Sequence, residues 1–230
     1  MSNYFFFFEY ILLGDLMKKI LLFLLLLIPL NIFALEVSSK SAILMDEDTG
    51  RILYAKNIDD KRLIASTTKI MTAILGIESG NLDDTVTIKD DILESYGSNI
   101  YLSIDEEITL QDLVYGLMLR SGNDAAMQIA ISTSGSIKEF SNLMNVYAQK
   151  IGMKNSYFVN PSGLEENDGS ANKSTAYDMA LLTRYAMKYD IYREIVSTEK
   201  YKVTTNKKTY VWNNKNKLLR YDYITGGKTG

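Results

Sequence analysis

Three short motifs in this chain contain side chains that could do nucleophilic chemistry: Ser66-Thr67-Thr68-Lys69, Ser121-Gly122-Asn123 and Lys228-Thr229-Gly230. The chain has no histidine and no cysteine. Neither a Ser-His-Asp triad nor a Cys-His dyad can therefore form. A serine nucleophile would need another base, and the first and third motifs each supply a lysine.

The spacing of Ser66 and Lys69 suits a serine that is activated by an amine. Residues three apart on a helix share a face, with Cβ atoms about 5–6 Å apart, so the amine can reach the hydroxyl. An ordinary lysine, with a pKa of about 10.4, is a poor base at neutral pH. Burial beside a second cation would lower that pKa, and Lys228 could supply the second charge. At a helix start, the Ser66 backbone N–H would also face a developing oxyanion.

Each motif taken alone also has an ordinary structural interpretation. Ser66 could cap a helix that carries Lys69 on its surface. Gly122 could end one helix while Asn123 caps the next, and the third motif could simply end a strand. Their occurrence together, in the order helix, turn and strand, makes coincidence improbable.

The pattern of apolar residues predicts the helices that would position these motifs. Helical spacing predicts one helix from Ser66 to Glu78, with Ser66 as the N-cap or in the first turn. A second helix is predicted from Thr109 to about Leu119, beginning with a capping-box-like pair of Thr109 and Asp112. Further helices are predicted at about 124–132, 136–151 and 174–188.

The two ends of the mature chain have the pattern of β-structure. Apolar runs at 41–45 and 52–55 flank an acidic turn that ends in Gly50, which predicts a hairpin. The segment from Lys200 to Gly230 alternates Tyr, Val, Thr and Trp as strands do. The sequence therefore predicts helices between β-rich ends.

The composition is that of an ordinary globular domain. The 230 residues are 47% apolar and 23% charged, which predicts one domain, with room for a subdomain. The net charge is −3, the pI is about 5.2, and no basic face is evident, so no nucleic-acid partner is predicted. The acidic runs lack the spacing of a calcium loop, and no metal or cofactor is predicted.

The N-terminus has the pattern of an export signal. Met17-Lys18-Lys19 precedes an apolar run at 20–30 and the small residue Ala34. We predict a signal peptide at 1–34, with the true start at Met17, and a mature exported domain at 35–230. The alternative is an uncleaved membrane anchor, but the apolar run is shorter than the roughly 20 residues that span a bilayer.

With their flanking residues, the three motifs resemble the low-molecular-mass penicillin-binding proteins, specifically the exported serine-type D-alanyl-D-alanine carboxypeptidases. The motifs S-x-x-K, S-D-N and K-T-G are the signature of class A β-lactamases and penicillin-binding proteins, and this chain has Ser121-Gly122-Asn123 as its second motif. The resemblance covers about 38–230 and is carried by 65–73, 118–126, 160–164, 174–180 and 226–230. It implies an α/β (α+β) fold of the β-lactamase/transpeptidase type, with an antiparallel sheet flanked by helices and a helical subdomain.

The resemblance also implies catalytic roles. Ser66 would be the nucleophile that forms an acyl-enzyme with the penultimate D-Ala of a peptidoglycan stem peptide. Lys69 would take the proton from Ser66, and Ser121 would complete the proton relay. β-Lactams would acylate Ser66 because they mimic the D-Ala-D-Ala end.

Substrate-binding roles are implied in the same way. Asn123 would hold the substrate amide, and Lys228 and Thr229 would bind the terminal carboxylate. Gly230 would complete this substrate-binding motif. The implied cellular role is cell wall maturation, in the periplasm or at the outer face of the cytoplasmic membrane.

The chain departs from the family pattern at Gly230, because family members continue past the K-T-G strand. The resemblance implies that the catalytic domain is incomplete there, and that any attachment to the membrane surface is set by the missing C-terminus. The family's second oxyanion N–H follows K-T-G, and such a donor is worth about 10²–10³ in rate. We therefore expect the 230-residue chain to be unstable or nearly inactive.

Three other functions are compatible with the sequence. A class A β-lactamase would need an E-x-x-L-N pattern, which Glu165, Glu166 and Asn167 do not form. A D,D-endopeptidase that cleaves cross-links would share all three motifs. A non-catalytic peptidoglycan- or β-lactam-binding module would bind penicillin without forming a covalent adduct.

Overall fold

The computed structural model describes residues 17–20, 23 and 36–230. The predicted signal peptide at 1–34 lies largely outside the described residues, and its described part, including Met17, is helical. The chain divides into two compact units at 1–38 and 39–230, and the three motifs lie in the second. Within the described residues, no helix has both the length and the apolar character needed to cross a bilayer.

The helices of the second unit lie mainly in its middle. They are α1 (Lys69–Glu78), α2 (Leu110–Arg120), α3 (Asn123–Ser134), α4 (Ile137–Lys150), α5 (Ala176–Ala186) and α6 (Asp190–Ser197). Short 3-10 turns occupy Ala65–Thr68, Asp90–Glu94 and Lys217–Arg220. The predicted arrangement of helices between β-rich ends is confirmed.

The strands pair in antiparallel ladders. They are β1 (Ala42–Met45), β2 (Ile52–Lys56), β3 (Arg62–Leu63), β4 (Thr85–Thr87), β5 (Glu107–Thr109), β6 (Lys173–Ser174), β7 (Lys200–Thr204) and β8 (Thr209–Asn213). The pairs are β1 with β2, β3 with β6, β4 with β5 and β7 with β8. The predicted N-terminal hairpin is confirmed, with an irregularity between Leu44 and Met45. The predicted fold class, antiparallel strands flanked by helices, is confirmed. In the described residues, the strands form four separate two-stranded sheets.

Local capping explains where α2 begins and ends. The Thr109 hydroxyl accepts a hydrogen bond from the Asp112 backbone N–H at 3.1 Å, as the capping-box pattern predicts. The helix ends at Ser121, which adopts the left-handed conformation with φ 64° and ψ 37°. The next residue, Gly122, is the N-cap of α3. The sharp change of direction between α2 and α3 therefore falls within the second motif.

One helix start needs correction, and one helix was not predicted. Ser66 is not an N-cap: it lies inside the 3-10 turn, and α1 begins only at Lys69. The helix predicted at about 174–188 is present as α5, but the sequence analysis did not predict α6, which follows after Tyr189 takes an extended conformation.

The predicted strand that ends in Lys228-Thr229-Gly230 is wrong for the described structure, because residues 224–230 form no regular strand. Gly226 and Gly227 have φ of 147° and 138°, values that glycine tolerates far better than other residues. The Gly226 backbone packs so closely on Val196 that a Cβ would stand 2.8 Å from the Val196 carbonyl carbon. The segment therefore packs on the end of α6 instead of pairing as a strand.

The core surrounds α1, which is buried along almost its whole length. Residues 69–77 of this helix are all buried. They pack against buried side chains of α2 and α3 that include Leu113, Leu117 and Ile129. Lys69 is the first residue of this helix, so its side chain is held inside the protein.

Candidate active site

Lys69 is fully buried, and its amine joins three parts of the chain. Its Nζ lies 3.2 Å from Ser66 Oγ, 2.7 Å from Asn123 Oδ1 and 2.6 Å from the backbone carbonyl oxygen of Ser162. Ser66 is one turn before Lys69, whereas Asn123 and Ser162 come from distant segments. Ser66 and Lys69 are therefore in contact, as predicted. The Lys69 amine also contacts two further oxygen atoms, those of Asn123 and Ser162.

The surroundings of Lys69 favour its neutral form. Burial lowers the pKa of this amine most strongly, and the positive charges of Lys228 and then Lys215 add to the effect. The nearby Asp124 carboxylate opposes them, and the resulting pKa is about 7. A substantial fraction of Lys69 is therefore an unprotonated amine at neutral pH.

The distances indicate how a neutral Lys69 can act as a base. A neutral amine has two N–H donors and one lone pair. The two shortest contacts, to Asn123 Oδ1 and to the Ser162 carbonyl, use both donors. The lone pair is then left for the hydroxyl of Ser66 at 3.2 Å, so the arrangement can accept the serine proton.

The turn at 160–163 positions the Ser162 carbonyl. Asn160 Oδ1 accepts hydrogen bonds from the backbone N–H groups of Ser162 at 3.2 Å and Gly163 at 2.8 Å. The Thr72 hydroxyl, one turn after Lys69, donates to the Pro161 carbonyl at 2.6 Å. These contacts tie the turn to α1. The sequence analysis did not identify this contact, because a backbone carbonyl has no side-chain signal.

Gly163 allows this turn to approach the nucleophile. A Cβ at Gly163 would stand 2.0 Å from the carbonyl oxygen of Ala65, and Gly163 has a positive φ of 85°. Ala65 itself has a positive φ of 45°. Two unusual backbone conformations therefore meet directly beside Ser66, in the way that strain collects at functional sites.

Asn123 is held on both sides as the first residue of α3. Its Nδ2 donates to the Tyr96 carbonyl at 2.6 Å, which leaves Oδ1 facing Lys69. Its backbone N–H donates to the Ser98 carbonyl at 2.7 Å. The adjacent Asp124 carboxylate accepts from the Ile100 backbone N–H at 3.0 Å. These bonds attach the loop at 95–102 to the start of α3 and fix the orientation of the Asn123 amide.

Ser121 and Lys228 form a second pair. Lys228 Nζ donates to Ser121 Oγ at 3.2 Å and to the Thr229 carbonyl at 2.6 Å. Burial, followed by the charge of Lys215, lowers the pKa of Lys228 to about 8. At neutral pH, Lys228 is therefore protonated to a greater extent than Lys69.

The last residues of the chain lie against the nucleophile's turn. A Cβ at Gly230 would stand 3.1 Å from the Thr67 backbone nitrogen, next to Ser66. Thr229 is exposed beside Lys228. All three predicted motifs therefore meet at one place, although the third reaches it without forming a strand.

Lys215 is an electrostatic contributor that the sequence analysis missed. Its Nζ donates to Ser98 Oγ at 3.3 Å, and its charge lowers the pKa of both Lys69 and Lys228. Its backbone N–H donates to the Leu119 carbonyl at 3.0 Å, which fixes it beside the end of α2. Because this placement depends on a contact between residues distant in sequence, no local pattern could have indicated it.

A cavity of about 470 Å³ adjoins the cluster. Asn123 and Ser162 line it together with Tyr96, Leu164 and Glu166. Two of the groups that orient Lys69 therefore also form the wall of an open space. The site therefore contains a serine beside an amine of lowered pKa, a lysine cation and a cavity. These are the groups that covalent catalysis by a serine needs when no histidine is present.

Comparison with known proteins gives a consistent result. The family model described as D-alanyl-D-alanine carboxypeptidase, peptidase family S11, matches residues 30–230. The chain is 37% identical over 199 residues to the D-alanyl-D-alanine carboxypeptidase DacF of Bacillus subtilis, covering 84% of this chain and 50% of that protein. It is also 37% identical over 205 residues to a D-alanyl-D-alanine carboxypeptidase of a Streptomyces species, covering 81% and 69%.

Solved structures agree with the sequence comparison. A D-alanyl-D-alanine carboxypeptidase of Mycobacterium tuberculosis superposes with a TM-score of 0.79 at 27% identity, covering 84% of this chain and 72% of that one. A mutant Streptomyces DD-transpeptidase superposes with a TM-score of 0.79 at 33% identity, covering 85% and 81%. The chain spans half the length of its Bacillus relative.

Proposed function

The chain belongs to the D-alanyl-D-alanine carboxypeptidase family, and on that premise we propose that residues 35–230 form a serine-type D,D-peptidase catalytic domain. The proposed reaction removes the terminal D-alanine from peptidoglycan stem pentapeptides through an acyl-enzyme on Ser66. The observation that carries the proposal is the buried Lys69 amine, whose Nζ lies 3.2 Å from Ser66 Oγ; its pKa is lowered to about 7.

In the acylation step, Ser66 Oγ attacks the carbonyl carbon of the penultimate D-alanine. Its proton passes to the lone pair of Lys69, and the C–O bond of a tetrahedral intermediate forms. The backbone N–H of Ser66 is the proposed oxyanion donor. Hydrogen bonds to Asn123 and Ser162 support this role because they hold Lys69 in place while its charge changes.

In the departure of D-alanine, the C–N bond breaks and the leaving nitrogen takes a proton. Ser121 is the proposed donor, and the proton that Lys69 took from Ser66 replaces the one that Ser121 gives up. Lys69 is then neutral again, and Lys228 keeps its charge beside Ser121 Oγ at 3.2 Å. Lys228, with Thr229 beside it, is also proposed to attract the substrate's terminal carboxylate, because an ammonium with a pKa of about 8 remains charged at neutral pH. Asn123 and Gly230 complete the proposed substrate contacts.

The acyl-enzyme is then proposed to react with water, which releases the shortened stem peptide. The Streptomyces relative is named a carboxypeptidase in one comparison and a DD-transpeptidase in another. Hydrolysis and transfer share the acyl-enzyme and differ only in whether water or an amine attacks it. We propose hydrolysis as the main reaction here.

Export is part of the proposal, because stem peptides lie outside the cytoplasmic membrane. The basic and apolar residues at 17–30, followed by Ala34, support a signal peptide at 1–34. N-terminal sequencing of the protein secreted from an expressing cell tests this, with cleavage expected after Ala34. Retention of residues 17–34 on the secreted protein would contradict it.

The central experiment is the intact mass of the protein before and after incubation with benzylpenicillin. One covalent adduct per chain is expected on the wild type, because β-lactam attack follows the same acylation step. The adduct should form slowly in the 230-residue chain, because only one oxyanion donor is proposed. The Ser66→Ala variant should show no adduct, and Thr67→Ala serves as the matched control at the neighbouring hydroxyl. An adduct on Ser66→Ala would show that another residue is the nucleophile.

The carboxypeptidase activity itself requires a peptide substrate. Diacetyl-Lys-D-Ala-D-Ala should release one D-alanine per turnover, measured by a coupled D-amino acid oxidase assay. Cleavage of cross-linked muropeptides without D-alanine release would instead indicate an endopeptidase. Folded protein that binds penicillin reversibly, without an adduct, would contradict the enzymatic proposal.

A further inference from the structure

Asn172 is a buried amide whose whole hydrogen-bonding capacity is used. The residue is 1% exposed and directly precedes β6. Its Oδ1 accepts from the backbone N–H groups of Val159 at 2.7 Å and Asn160 at 3.2 Å. Its Nδ2 donates to the Thr68 hydroxyl at 3.0 Å and to the Asn160 carbonyl oxygen at 2.8 Å. A primary amide has two N–H donors and an oxygen with two lone pairs, so these bonds fix its orientation.

The Thr68 hydroxyl belongs to the turn that carries the nucleophile. Thr68 lies between Ser66 and Lys69, is the last residue of the 3-10 turn Ala65–Thr68, and is fully buried. It is also the N-cap of α1, so a shift of Thr68 would move the start of that helix and Lys69 with it. The bond from Asn172 therefore acts on the backbone that places both reacting side chains.

The other three bonds of the amide hold the two residues that precede Pro161. Directly after this proline, the Ser162 carbonyl accepts a hydrogen bond from Lys69 Nζ at 2.6 Å. Asn172 Nδ2 therefore bonds both to the segment that carries this carbonyl and to the turn that carries the nucleophile. One nitrogen atom sets the spacing between the two segments.

The two segments are in close contact at Thr68. A Cβ added to Gly163 would stand 2.8 Å from Thr68 Oγ1, the atom to which Asn172 donates. Strand β6, which begins at Lys173, pairs with β3 just before the nucleophile's turn. On its other side, Lys173 exchanges backbone hydrogen bonds with Tyr157 at 2.8 and 2.9 Å. Backbone pairing on both sides thus places the Asn172 amide between the two segments.

We propose that Asn172 is a positioning residue for the general base. It keeps the Ser162 carbonyl against Lys69, so that one N–H of the neutral amine stays bound there and the lone pair stays directed at Ser66. The four hydrogen bonds of Asn172 reach neither Ser66 nor Lys69, so its effect on the reaction passes through the backbone. The inference rests on the proposed function, because it takes Lys69 as the base.

Asn145 provides a matched control on α4. Its Nδ2 donates to the carbonyl oxygens of Phe158 at 2.7 Å and Ser141 at 2.9 Å, and its Oδ1 accepts from the Phe158 N–H at 2.9 Å. It therefore holds the same backbone segment one residue before Val159, but connects it to α4 instead of to the nucleophile's turn. Loss of either amide should destabilise the fold, whereas only loss of Asn172 should slow acylation.

The test is the kinetics of benzylpenicillin acylation, resolved into the dissociation constant of the reversible complex and the acylation rate at saturation. In Asn172→Ala the saturated rate should fall roughly 10²-fold, the effect of a misplacement of about 1 Å at a reacting group. The dissociation constant should stay within about threefold of wild type, because the proposed carboxylate contacts at Lys228 and Thr229 are untouched. Asn145→Ala should unfold at lower urea concentration than wild type but acylate at the wild-type rate.

Thr68→Val decides the question if Asn172→Ala does not fold. It removes only the hydroxyl that accepts from Nδ2 and keeps the shape of the side chain. Acylation should slow roughly tenfold, the effect of about one hydrogen bond. In the double variant the two effects should not multiply, because both substitutions cut the same connection. Multiplied effects, an unchanged rate in either single variant, or equal slowing in Asn145→Ala would each overturn the proposal.

A second measurement does not require the reaction. The ¹³C resonance of the Ser162 carbonyl reports whether Lys69 still donates to it. This resonance should shift in Asn172→Ala and in Thr68→Val, and should stay at its wild-type position in Asn145→Ala. An unmoved resonance in the first two variants would overturn the inference even where the wild type forms the penicillin adduct. If the wild type forms no adduct, the proposed function is contradicted, and the resonance alone decides whether Asn172 positions the carbonyl.

Discussion

Helix α1 carries an ionisable side chain at each end, and the two have opposite properties. Lys69 at its start is fully buried, and Glu78 at its end has a side chain that is 13% exposed. The pKa of each is lowered. For an amine that shift favours the neutral form, whereas for a carboxylate it favours the charged form.

The difference lies in the neighbours rather than in burial alone. Burial by itself would raise the pKa of Glu78, but hydrogen bonds from Tyr185, Tyr189 and Tyr147 outweigh it. The Lys69 amine has burial and two other lysines acting in the same direction. One end of the helix thus holds a stable ion, and the other holds a base. A buried charge with donors around it is structural, whereas a buried amine among cations is reactive.

Replacing Lys69 should produce the largest effect on activity. Lys69→Arg keeps a long cation but cannot lose its proton at neutral pH, so benzylpenicillin acylation should slow by about 10²–10⁴-fold. Stopped-flow or mass-spectrometric acylation rates measure this. Lys69→Met should be similarly inactive yet more stable to denaturant, because it removes a buried amine. Acylation within threefold of wild type in either variant would eliminate Lys69 as the base.

Gly163→Ala should disturb the active end of α1 through the turn that holds the Ser162 carbonyl. The added Cβ would stand 2.0 Å from the Ala65 carbonyl oxygen at a positive φ. Unfolding free energy should fall by about 2–4 kcal/mol, with slower acylation. Gly169→Ala is the matched control, because Gly169 has a φ of 80° and no atom within 4 Å of the added Cβ. Equal losses in the two variants would mean that backbone strain, and not this contact, is responsible.

The pH dependence of acylation tests the lysine pair. The rate should rise through about pH 7 as Lys69 becomes neutral, and fall above about pH 8 as Lys228 loses its charge, for β-lactams that carry a carboxylate. In Lys228→Gln the rising limb should move to higher pH, because a cation that lowers the pKa of Lys69 is gone. Lys217→Gln, an exposed lysine of the same segment, should leave the profile unchanged. If the rising limb of Lys228→Gln stays at the wild-type pH, the charge of Lys228 does not lower the pKa of Lys69.

Glu78→Gln should have the smallest effect, and only on stability. The charged acceptor of the tyrosine hydroxyls is lost, so the unfolding free energy at neutral pH should fall by about 1 kcal/mol while the acylation rate is unchanged. The folded-state pKa of Glu78 is below its ordinary value of 4.5, so this contribution is present above that pH and is lost on acidification. The difference between variant and wild type in urea unfolding should therefore shrink below pH 4.5. A slower acylation rate would show that the two ends of α1 are coupled.

The elements with local signals could be predicted from the sequence. The cap at Thr109 and the apolar spacing after it were sufficient for α2, because helix starts and helix faces depend on residues a few positions apart. The proximity of Ser66 and Lys69 followed from the same reasoning. The association of these residues with Asn123 and Lys228 came from motif resemblance rather than from spacing.

The remaining parts depend on contacts between distant segments. The turn at 160–163 brings the Ser162 carbonyl to Lys69. A backbone hydrogen bond to the Leu119 carbonyl holds Lys215 near the site. The end of the chain was predicted as a strand from its alternation, yet Gly226 packs on Val196. Strand patterns indicate a tendency that is realised only where a partner strand is paired.

Lys69 and Asn123 are the first residues of α1 and α3, and their side chains meet. The positive ends of two helix dipoles therefore converge where Lys228 and Lys215 also place their charges. Some inhibitors are neutral in solution and become anionic only when Ser66 adds to them. The positive potential of the site stabilises such an inhibitor only in its bound form. A boronic acid is such a molecule, and its affinity would report the electrostatic potential of the site directly.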